Sequence, residues 1–136
     1  MTNKDKENLC NLAIKAAENA YSPYSGFKVG AALLCDDDSV FLGCNIENSS
    51  YSATNCAERV AVQNAVSTGK RSFKAIAIAG GRDNVGERLC PPCGVCRQVL
   101  SEFCNKDTAV LLVKEDGYEE YTLSQLLPLS FGKENL

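Results

Sequence analysis

Two short cysteine clusters are the residues of this chain whose types and spacing could bind a metal. Cys56 is followed two residues later by Glu58, and Cys93 lies three residues before Cys96. The 136-residue chain contains no histidine, so a transition metal must be held by thiolates or carboxylates, and sulfur ligands favour zinc over magnesium or calcium. Three thiolates with one open position are typical of a catalytic zinc site, whereas four protein ligands are typical of a structural one.

The surrounding pattern predicts that both clusters lie at helix starts. A helix is expected from Asn55 to Ser67, and another from Cys93 to about Cys104. Unpaired backbone N–H groups and the positive end of the dipole stabilise thiolates at the first turn of a helix. Cys93 and Cys96 then share one helix face. Cys56 supplies a third ligand if the two helix starts converge.

The remaining elements predict the fold that must bring those helices together. A further long helix is expected from Asp5 to about Ala20, and a short one from Leu123 to Leu127. Strands are expected at Lys28 to Cys35, Val40 to Asn45, Phe73 to Ala79, Ala109 to Val113 and Tyr118 to Thr122. A hairpin followed by helix, strand, helix and strand predicts the α/β class, as a three-layer α/β/α sandwich with a mixed five-stranded sheet. Because the composition shows no break or repeat, residues 1–136 are predicted to form a single catalytic domain.

Composition narrows the function classes. The chain is 45% hydrophobic and 23% charged, as in a soluble globular protein. It has no apolar run long enough for a membrane span, and its charged start lacks the apolar core of a signal peptide, so a cytoplasmic location is expected. The net charge of -3 argues against a nucleic-acid partner, since such domains carry a basic face.

The other cysteines are expected to be buried thiols, because disulfides are rare in a reducing compartment. This group contains Cys10, Cys35, Cys44 and Cys104. Cys90 leaves two alternatives open. Three residues before Cys93, it could be a fourth metal ligand, but the stiff Pro91-Pro92 link favours a side chain that points elsewhere.

Two charged residues beside Cys56 each allow a functional and a plain interpretation. Arg59, three residues on, could offset the negative charge of a three-thiolate zinc site, or it could be a solvated helix arginine. Glu58 could pass protons from an activated water to a leaving group, or it could be a surface glutamate. Residues two apart in an ideal helix point in nearly opposite directions, so the spacing alone does not bring Glu58 and Cys56 together.

The combined motifs resemble those of the cytidine deaminase family, in its short-chain form with three cysteine ligands. The resemblance is carried by Thr54-Asn55-Cys56-Ala57-Glu58-Arg59 and by Pro92-Cys93-Gly94-Val95-Cys96-Arg97-Gln98-Val99, and it extends to residues 24–32, 43–48 and 127–132. It implies one zinc ion per chain, bound by Cys56, Cys93 and Cys96. It also implies a hydrolase acting on a cyclic amidine C–N bond, which converts cytidine and deoxycytidine to uridine and deoxyuridine with release of ammonia, in pyrimidine salvage.

The resemblance also implies roles for individual residues. Water activated by zinc attacks C4 of cytosine, and Glu58 protonates ring N3 and then the departing amine. Phe27 packs against the base, while the backbone around Ala57 holds the polar edge of the base. Arg59 lies next to the three ligands, without binding the metal, and supplies the compensating positive charge.

Four further residues are implied in substrate binding. Asn45 and Glu47 grip the ribose hydroxyls, which agrees with residues two apart at a strand end pointing to one face. The plain alternative for this pair is an ordinary polar strand end. Tyr51 and Phe131 contact the substrate from neighbouring subunits of a homotetramer, although Phe131 could instead cover the core of its own subunit.

Three rival interpretations remain open. A deaminase of blasticidin-type nucleoside antibiotics shares the zinc motifs but is expected to differ around Asn45, Glu47 and residues 130–132. A tRNA or DNA deaminase needs a basic surface. A structural zinc module needs a fourth ligand, for which Cys90 is the near candidate.

Two segments depart from the family pattern, namely the loop Gly80-Gly81-Arg82-Asp83 and the pair Cys90-Pro91. These departures affect the expected loop shape near the zinc but neither the ligands nor Glu58.

Overall fold

Four α-helices and five strands make up the fold of residues 1–136 in the computed structural model. In chain order they are α1 (Asn3–Ala16), β1 (Lys28–Cys35), β2 (Val40–Cys44), α2 (Ala57–Ser67), β3 (Phe73–Gly81), α3 (Gly94–Phe103), β4 (Cys104–Lys114), β5 (Gly117–Thr122) and α4 (Leu123–Leu126). Short 3-10 turns lie at Ala17–Asn19, Tyr51–Ala53 and Lys133–Asn135. The expected order of elements is confirmed.

The strands form one mixed sheet in the order β2-β1-β3-β4-β5. Strand β1 is antiparallel to both β2 and β3, β3 is parallel to β4, and β4 is antiparallel to β5. The parallel pair is joined by α3, as a crossover connection requires. Because β2 and β3 both run against β1, their carboxyl ends lie at the same edge of the sheet.

Helices cover both faces of the sheet. Helix α1 packs on one face, where Leu9, Cys10 and Ala13 join a buried cluster with residues of β1, β3 and β4. Helices α2, α3 and α4 contribute to a larger cluster on the opposite face. Alternate residues of each central strand serve the two clusters, as the pleat dictates. The predicted α/β/α sandwich with a mixed five-stranded sheet is confirmed.

The observed boundaries differ from the expected ones at several elements; α2, for example, begins at Ala57 and not at Asn55. Two differences are the largest. Helix α1 ends at Ala16 and continues only as a 3-10 turn, short of Ala20. Cys104, expected near a helix end, has an extended backbone and is the first residue of β4. The strand pairs early because Cys104 lies opposite Phe73, before an irregularity shifts the register to Ala75 and Ala109.

Glycines allow a close approach of helices to the sheet on each face. A β-carbon at Gly43 of β2 would lie 2.4 Å from the carbonyl oxygen of Ala57 and 2.5 Å from the nitrogen of Ala61. A β-carbon at Gly30 of β1 would lie 2.0 Å from the carbonyl oxygen of Ala13 on the other face. These distances are far below van der Waals contact, so α2 and α1 lie against bare backbone.

None of the helices is both long enough and apolar enough to cross a membrane.

Candidate zinc centre and active site

The thiols of Cys56, Cys93 and Cys96 converge in the structure. Their Sγ atoms all lie within 4.8 Å of one another. The Cys56–Cys93 separation is 3.9 Å and the Cys93–Cys96 separation is 3.5 Å. Zinc–sulfur bonds of about 2.3 Å at tetrahedral angles place sulfur atoms about 3.8 Å apart. The three thiols are therefore spaced as a zinc ion requires, and they could hold one.

Sheet topology explains why the two helix starts converge. Helix α2 follows β2 and α3 follows β3, and the carboxyl ends of these two strands lie at one sheet edge. Both helices pack on the same face, so their first turns meet above that edge. Ligand sites in α/β sheets lie at the carboxyl ends of strands for this reason.

The helix boundaries aim the ligands. Cys56 and Cys93 are the N-cap residues of α2 and α3, both with extended backbone and with no side-chain capping bond. Cys96 is the third residue of α3, the position whose side chain comes back toward the N-cap in a capping box. The expected helix start at Cys93 is thus one residue early. Both N-cap thiols are free to bind a metal, and each lies where the first N–H groups of a helix favour negative charge.

The N-cap position also settles the geometry of Cys56 and Glu58. Cys56 has φ of -72° and ψ of 153°, and α2 begins at Ala57. The rule that residues two apart in a helix point in opposite directions therefore does not apply to this pair.

Arg59 turns its guanidinium toward the thiols. Its Nη2 atom donates a hydrogen bond to Cys56 Sγ at 3.3 Å. Its buried Nε atom has no hydrogen-bond partner. A buried cationic N–H is costly unless negative charge lies nearby, so this arginine fits a cluster of anionic thiolates. The hydrogen bond to Cys56 also raises the pKa of Arg59 above its usual value. Arg59 is therefore not a solvated helix arginine.

The electrostatics of the cluster favour a thiolate at Cys56. Hydrogen bonding from Cys96 lowers the pKa of the Cys56 thiol to about 5, and hydrogen bonding and charge from Arg59 act in the same direction. The pKa of Cys96 is raised by its hydrogen bond to Cys56 and by burial. Without a metal, Cys56 and Cys96 therefore cannot both be thiolates at neutral pH. A divalent metal between the sulfurs supplies the positive charge that lets both be deprotonated.

Glu58 is buried beside the thiols. Only 4% of its surface is exposed, so the surface-glutamate interpretation is wrong. Burial raises the pKa of its carboxyl group to about 7, and the negative charge of Cys56 contributes to the increase. A carboxyl group with a pKa near neutral pH can both accept and release a proton at that pH.

Asn45 and Glu47 hold the loop that carries Phe27. The buried side chain of Asn45 accepts a hydrogen bond from the Val29 N–H and donates one to the Phe27 carbonyl oxygen, both at 2.9 Å. Glu47 accepts hydrogen bonds from the Tyr24 N–H at 2.9 Å and from the N–H of Ser25 at 3.2 Å. These contacts bring the three predicted residues Phe27, Asn45 and Glu47 together.

The same segment is tied to the start of α2. Ile46, between Asn45 and Glu47, exchanges two backbone hydrogen bonds with Asn55 at 2.9 and 3.0 Å. Asn55 immediately precedes Cys56. The segment of Asn45 and Glu47, the pair predicted from strand alternation, is therefore bonded to the residue that precedes Cys56, although β2 itself ends at Cys44.

Cys90 lies apart from the three thiols. It does not belong to the group that could hold a metal. A β-carbon at Gly80 would lie 2.8 Å from Cys90 Sγ and 2.9 Å from Phe27 Cε1, so the thiol and the ring both pack over this glycine. Burial raises the pKa of Cys90 to about 12. A four-thiolate structural site is therefore not formed.

The other predicted residues lie at different depths. Ala57 is fully buried at the first position of α2, where the backbone N–H groups have no acceptor within the helix. Tyr51 is 78% exposed, with its ring 6.4 Å from that of Tyr24. Phe131 is 60% exposed. The alternative that Phe131 covers the core of its own subunit is not what the structure shows.

Two glycines with a bearing on the site were not singled out as site residues. Gly43 sets the distance of α2 from the sheet, and Gly80 forms the floor beneath Phe27 and Cys90. A glycine inside a strand often marks the close approach of another group. That signal was present in the sequence, but only the packing identifies the group that approaches.

The chain is similar in sequence to known proteins. A family model for the cytidine and deoxycytidylate deaminase zinc-binding region matches residues 3–112. The cytidine deaminase of Sporosarcina psychrophila is 53% identical over 133 residues, covering 97% of this chain and 95% of that protein. The cytidine deaminase of Mycobacterium tuberculosis H37Rv is 41% identical over 136 residues, covering 100% of this chain and 96% of that protein.

Solved structures agree in fold. The crystal structure of cytidine deaminase from Burkholderia pseudomallei superposes with a TM-score of 0.85 at 42% identity, covering 96% of this chain and all of that one. The likeness in sequence and structure extends over nearly the whole chain and includes the segments that carry the three cysteines and Glu58. This chain belongs to the cytidine deaminase family.

Proposed function

We propose that this protein is a zinc-dependent hydrolase that deaminates cytidine and deoxycytidine to uridine and deoxyuridine, releasing ammonia. The observation that carries the proposal is the buried carboxyl group of Glu58 beside three converging thiols. A proton shuttle at a metal site that has only three protein ligands is the arrangement that hydrolytic deamination requires.

The proton transfers fall to Glu58. A zinc ion held by Cys56, Cys93 and Cys96 would supply a Lewis acid that lowers the pKa of water toward about 7. Glu58 takes a proton from the attacking water and places it on ring N3, which makes C4 electrophilic. It takes the second proton of the water to the departing amino group. The water oxygen remains on C4, and the nitrogen leaves as ammonia.

Asn45 and Glu47 have hydrogen-bonding capacity left for a ribose. An amide group has two lone pairs on oxygen and two N–H donors, and each carboxylate oxygen has two lone pairs. Asn45 uses one lone pair and one donor on the backbone of Phe27 and Val29. Oε1 of Glu47 accepts hydrogen bonds from the N–H groups of Tyr24 and Ser25, whereas Oε2 accepts only from the Ser25 hydroxyl. Each side chain is thus fixed in orientation by the protein and keeps an atom for a sugar hydroxyl.

The base is proposed to lie between Phe27 and the start of α2. Phe27 is held on both sides, by the hydrogen bond from Asn45 and by its packing over Gly80. The backbone at Ala57 would receive the polar edge of the cytosine, because its N–H lies in the unpaired first turn of the helix.

The assembly is proposed to be a homotetramer in which Tyr51 and Phe131 reach a neighbouring active site. Both rings are largely exposed in a single chain, so a neighbouring subunit could contact them. Residues 1–136 act as one catalytic domain. The net charge of -3 favours a free nucleoside over a nucleic acid, and pyrimidine salvage in the cytoplasm is the proposed setting.

An ultraviolet assay with cytidine and deoxycytidine tests the activity, with ammonia measured as the second product. Glu58→Gln should retain zinc and nucleoside binding but lower kcat by about 10²–10⁴, because proton transfer is lost while shape is kept. Glu18→Gln is the matched control, since Glu18 is exposed on the 3-10 turn after α1. Near-normal turnover in the Glu58→Gln protein would place the proton shuttle elsewhere, and no reaction with either nucleoside in the parent would refute the proposed substrate.

A further inference from the structure

The C-terminal segment, residues 128–136, makes few packing contacts and hydrogen bonds with the rest of the chain. Leu129 and Leu136 are fully exposed and Phe131 is 60% exposed. No residue of the segment belongs to, or packs against, either hydrophobic cluster. A groove of about 880 Å³ runs between the segment and the body of the protein, lined by Leu123 and Phe103 on the body side and by Ser130 and Lys133 on the segment side.

A single hydrogen bond crosses from this segment to the body. Gln98 Nε2 donates to the carbonyl oxygen of Phe131 at 2.9 Å. The remaining hydrogen bonds of the segment are internal, such as the bonds between Gly132 and Asn135. No ion pair involves the segment. The position of Phe131 relative to the body therefore depends on one side chain.

Gln98 belongs to the helix that carries two of the thiols. It lies two residues after Cys96 on α3. Arg97, between them, donates from Nε to the carbonyl oxygen of Pro92 at 2.8 Å and from Nη1 to that of Leu126 at 2.6 Å. The first turns of α3 thus hold the loop before Cys93, the end of α4 and the C-terminal segment together.

We infer that Gln98 is a positioning residue for substrate binding, which acts by holding the Phe131 segment in the conformation that presents its ring. The inference rests on the proposed function, in which Phe131 contacts the nucleoside of a neighbouring subunit. Gln98 itself touches no substrate. Its loss should weaken binding of the nucleoside while leaving the proton transfers of Glu58 unaffected.

The first test measures steady-state kinetics of the zinc-loaded Gln98→Met protein with cytidine. Methionine keeps the length of the side chain and removes the donor. KM should rise about fivefold, equivalent to about 1 kcal/mol and to one neutral hydrogen bond, with kcat changed less than twofold. Gln98→Glu, which keeps the shape and also removes the N–H donor, should likewise raise KM and leave kcat nearly unchanged. Glu102→Gln is the control, because Glu102 is exposed on the same helix and makes no hydrogen bond or ion pair with its side chain.

The second test combines Gln98→Met with removal of residues 130–136. If Gln98 acts through Phe131, truncation alone raises KM, and Gln98→Met adds nothing in the truncated protein. Zinc content should remain near one per chain in all four proteins. If Gln98→Met raised KM by the same factor in the full-length and truncated proteins, the inference would be overturned, since Gln98 would then act through something other than the segment.

Two further outcomes separate the inference from the proposed function. A truncation that raises KM beside a Gln98→Met protein with unchanged KM overturns the role of Gln98 and leaves the Phe131 contact intact. A truncation that leaves KM unchanged overturns both, without touching Glu58 or the metal ligands.

Hydrogen–deuterium exchange supplies a readout that does not depend on activity. The backbone amides of Gly132, Asn135 and Leu136, which are hydrogen-bonded within the segment, should exchange faster in the full-length Gln98→Met protein than in the parent, whereas peptides from α2 should be unchanged. Unchanged exchange at these three amides would overturn the inference.

Discussion

Replacing Gly43 by alanine should damage the metal site from the opposite side of a helix. The added β-carbon would lie 2.4 Å from the Ala57 carbonyl oxygen, whereas ordinary contact begins at 3.4 Å. Helix α2 must therefore retreat by about 1 Å. Overpacking of this kind costs about 1–3 kcal/mol, and in a domain of this size the melting temperature should fall by about 4–12 °C.

The retreat has a functional consequence because Cys56 and Glu58 lie at the start of α2. Zinc sites tolerate ligand displacements of about 0.2 Å, and a reacting group misplaced by about 1 Å costs on the order of 10² in rate. Gly43→Ala should therefore lose much of its zinc at equilibrium with a chelator, and its kcat/KM should fall by about 10². Metal analysis and the nucleoside assay measure these two effects.

Gly30→Ala is the matched control. Its β-carbon would lie 2.0 Å from the Ala13 carbonyl oxygen, an overlap at least as severe, but under α1, which carries no candidate site residue. The control should lose comparable stability and keep its zinc and its kcat/KM. Equal zinc loss in the two variants, or full activity in Gly43→Ala, would refute the argument that this glycine sets the position of the site.

The remaining predictions concern individual cysteines. Cys96→Ala should lose zinc and destabilise the fold, because the metal joins two helix starts; Cys44→Ala, at a half-buried thiol outside the cluster, is the control, and full zinc occupancy in Cys96→Ala would contradict the ligand assignment. Cobalt in place of zinc should give the visible spectrum of three sulfur ligands, and a four-sulfur spectrum would bring Cys90 back as a ligand. Burial raises the pKa of Cys104 from its usual 9.0 to about 12, so the folded state prefers the protonated thiol. The contribution of this thiol to the free energy of unfolding is then fully present below pH 9 and is lost between pH 9 and 12, by at most about 1.4 kcal/mol per pH unit. Cys104→Ala should remove this part of the alkaline loss, and urea titrations at pH 8 and 10.5 that show the same loss with and without the thiol would contradict it.

Sequence patterns predicted the sheet and the helices well because their signals are local. Buried strands such as Phe73–Gly81 are nearly continuous apolar runs, and α2 shows a helical period ended by Gly69. The differences lie at boundaries. Cys104 became a strand residue because pairing with Phe73 captures it directly after α3, and such pairing depends on a residue about thirty positions away.

The amino-acid sequence by itself determined the chemistry available to the site. Without histidine, a zinc ion has only cysteine and carboxylate ligands, and the spacing of Cys93 and Cys96 follows from a single helix turn. The motifs around Cys56 and around Cys93, together with residues 24–32, 43–48 and 127–132, were enough to predict the cytidine deaminase family. These are properties of residue type and short spacing, which survive any arrangement of the rest of the chain.

Only the tertiary structure decided how those residues work together. The spacing of Cys56 and Glu58 was ambiguous until α2 was found to begin at Ala57, which makes Cys56 an extended N-cap residue. Glu58 acquires a pKa of about 7 through burial, and Arg59 turns inward to Cys56 through the packing around α2. Burial and orientation depend on which distant segments cover a side chain, and that information lies in the sheet topology that brings two helix starts to one edge.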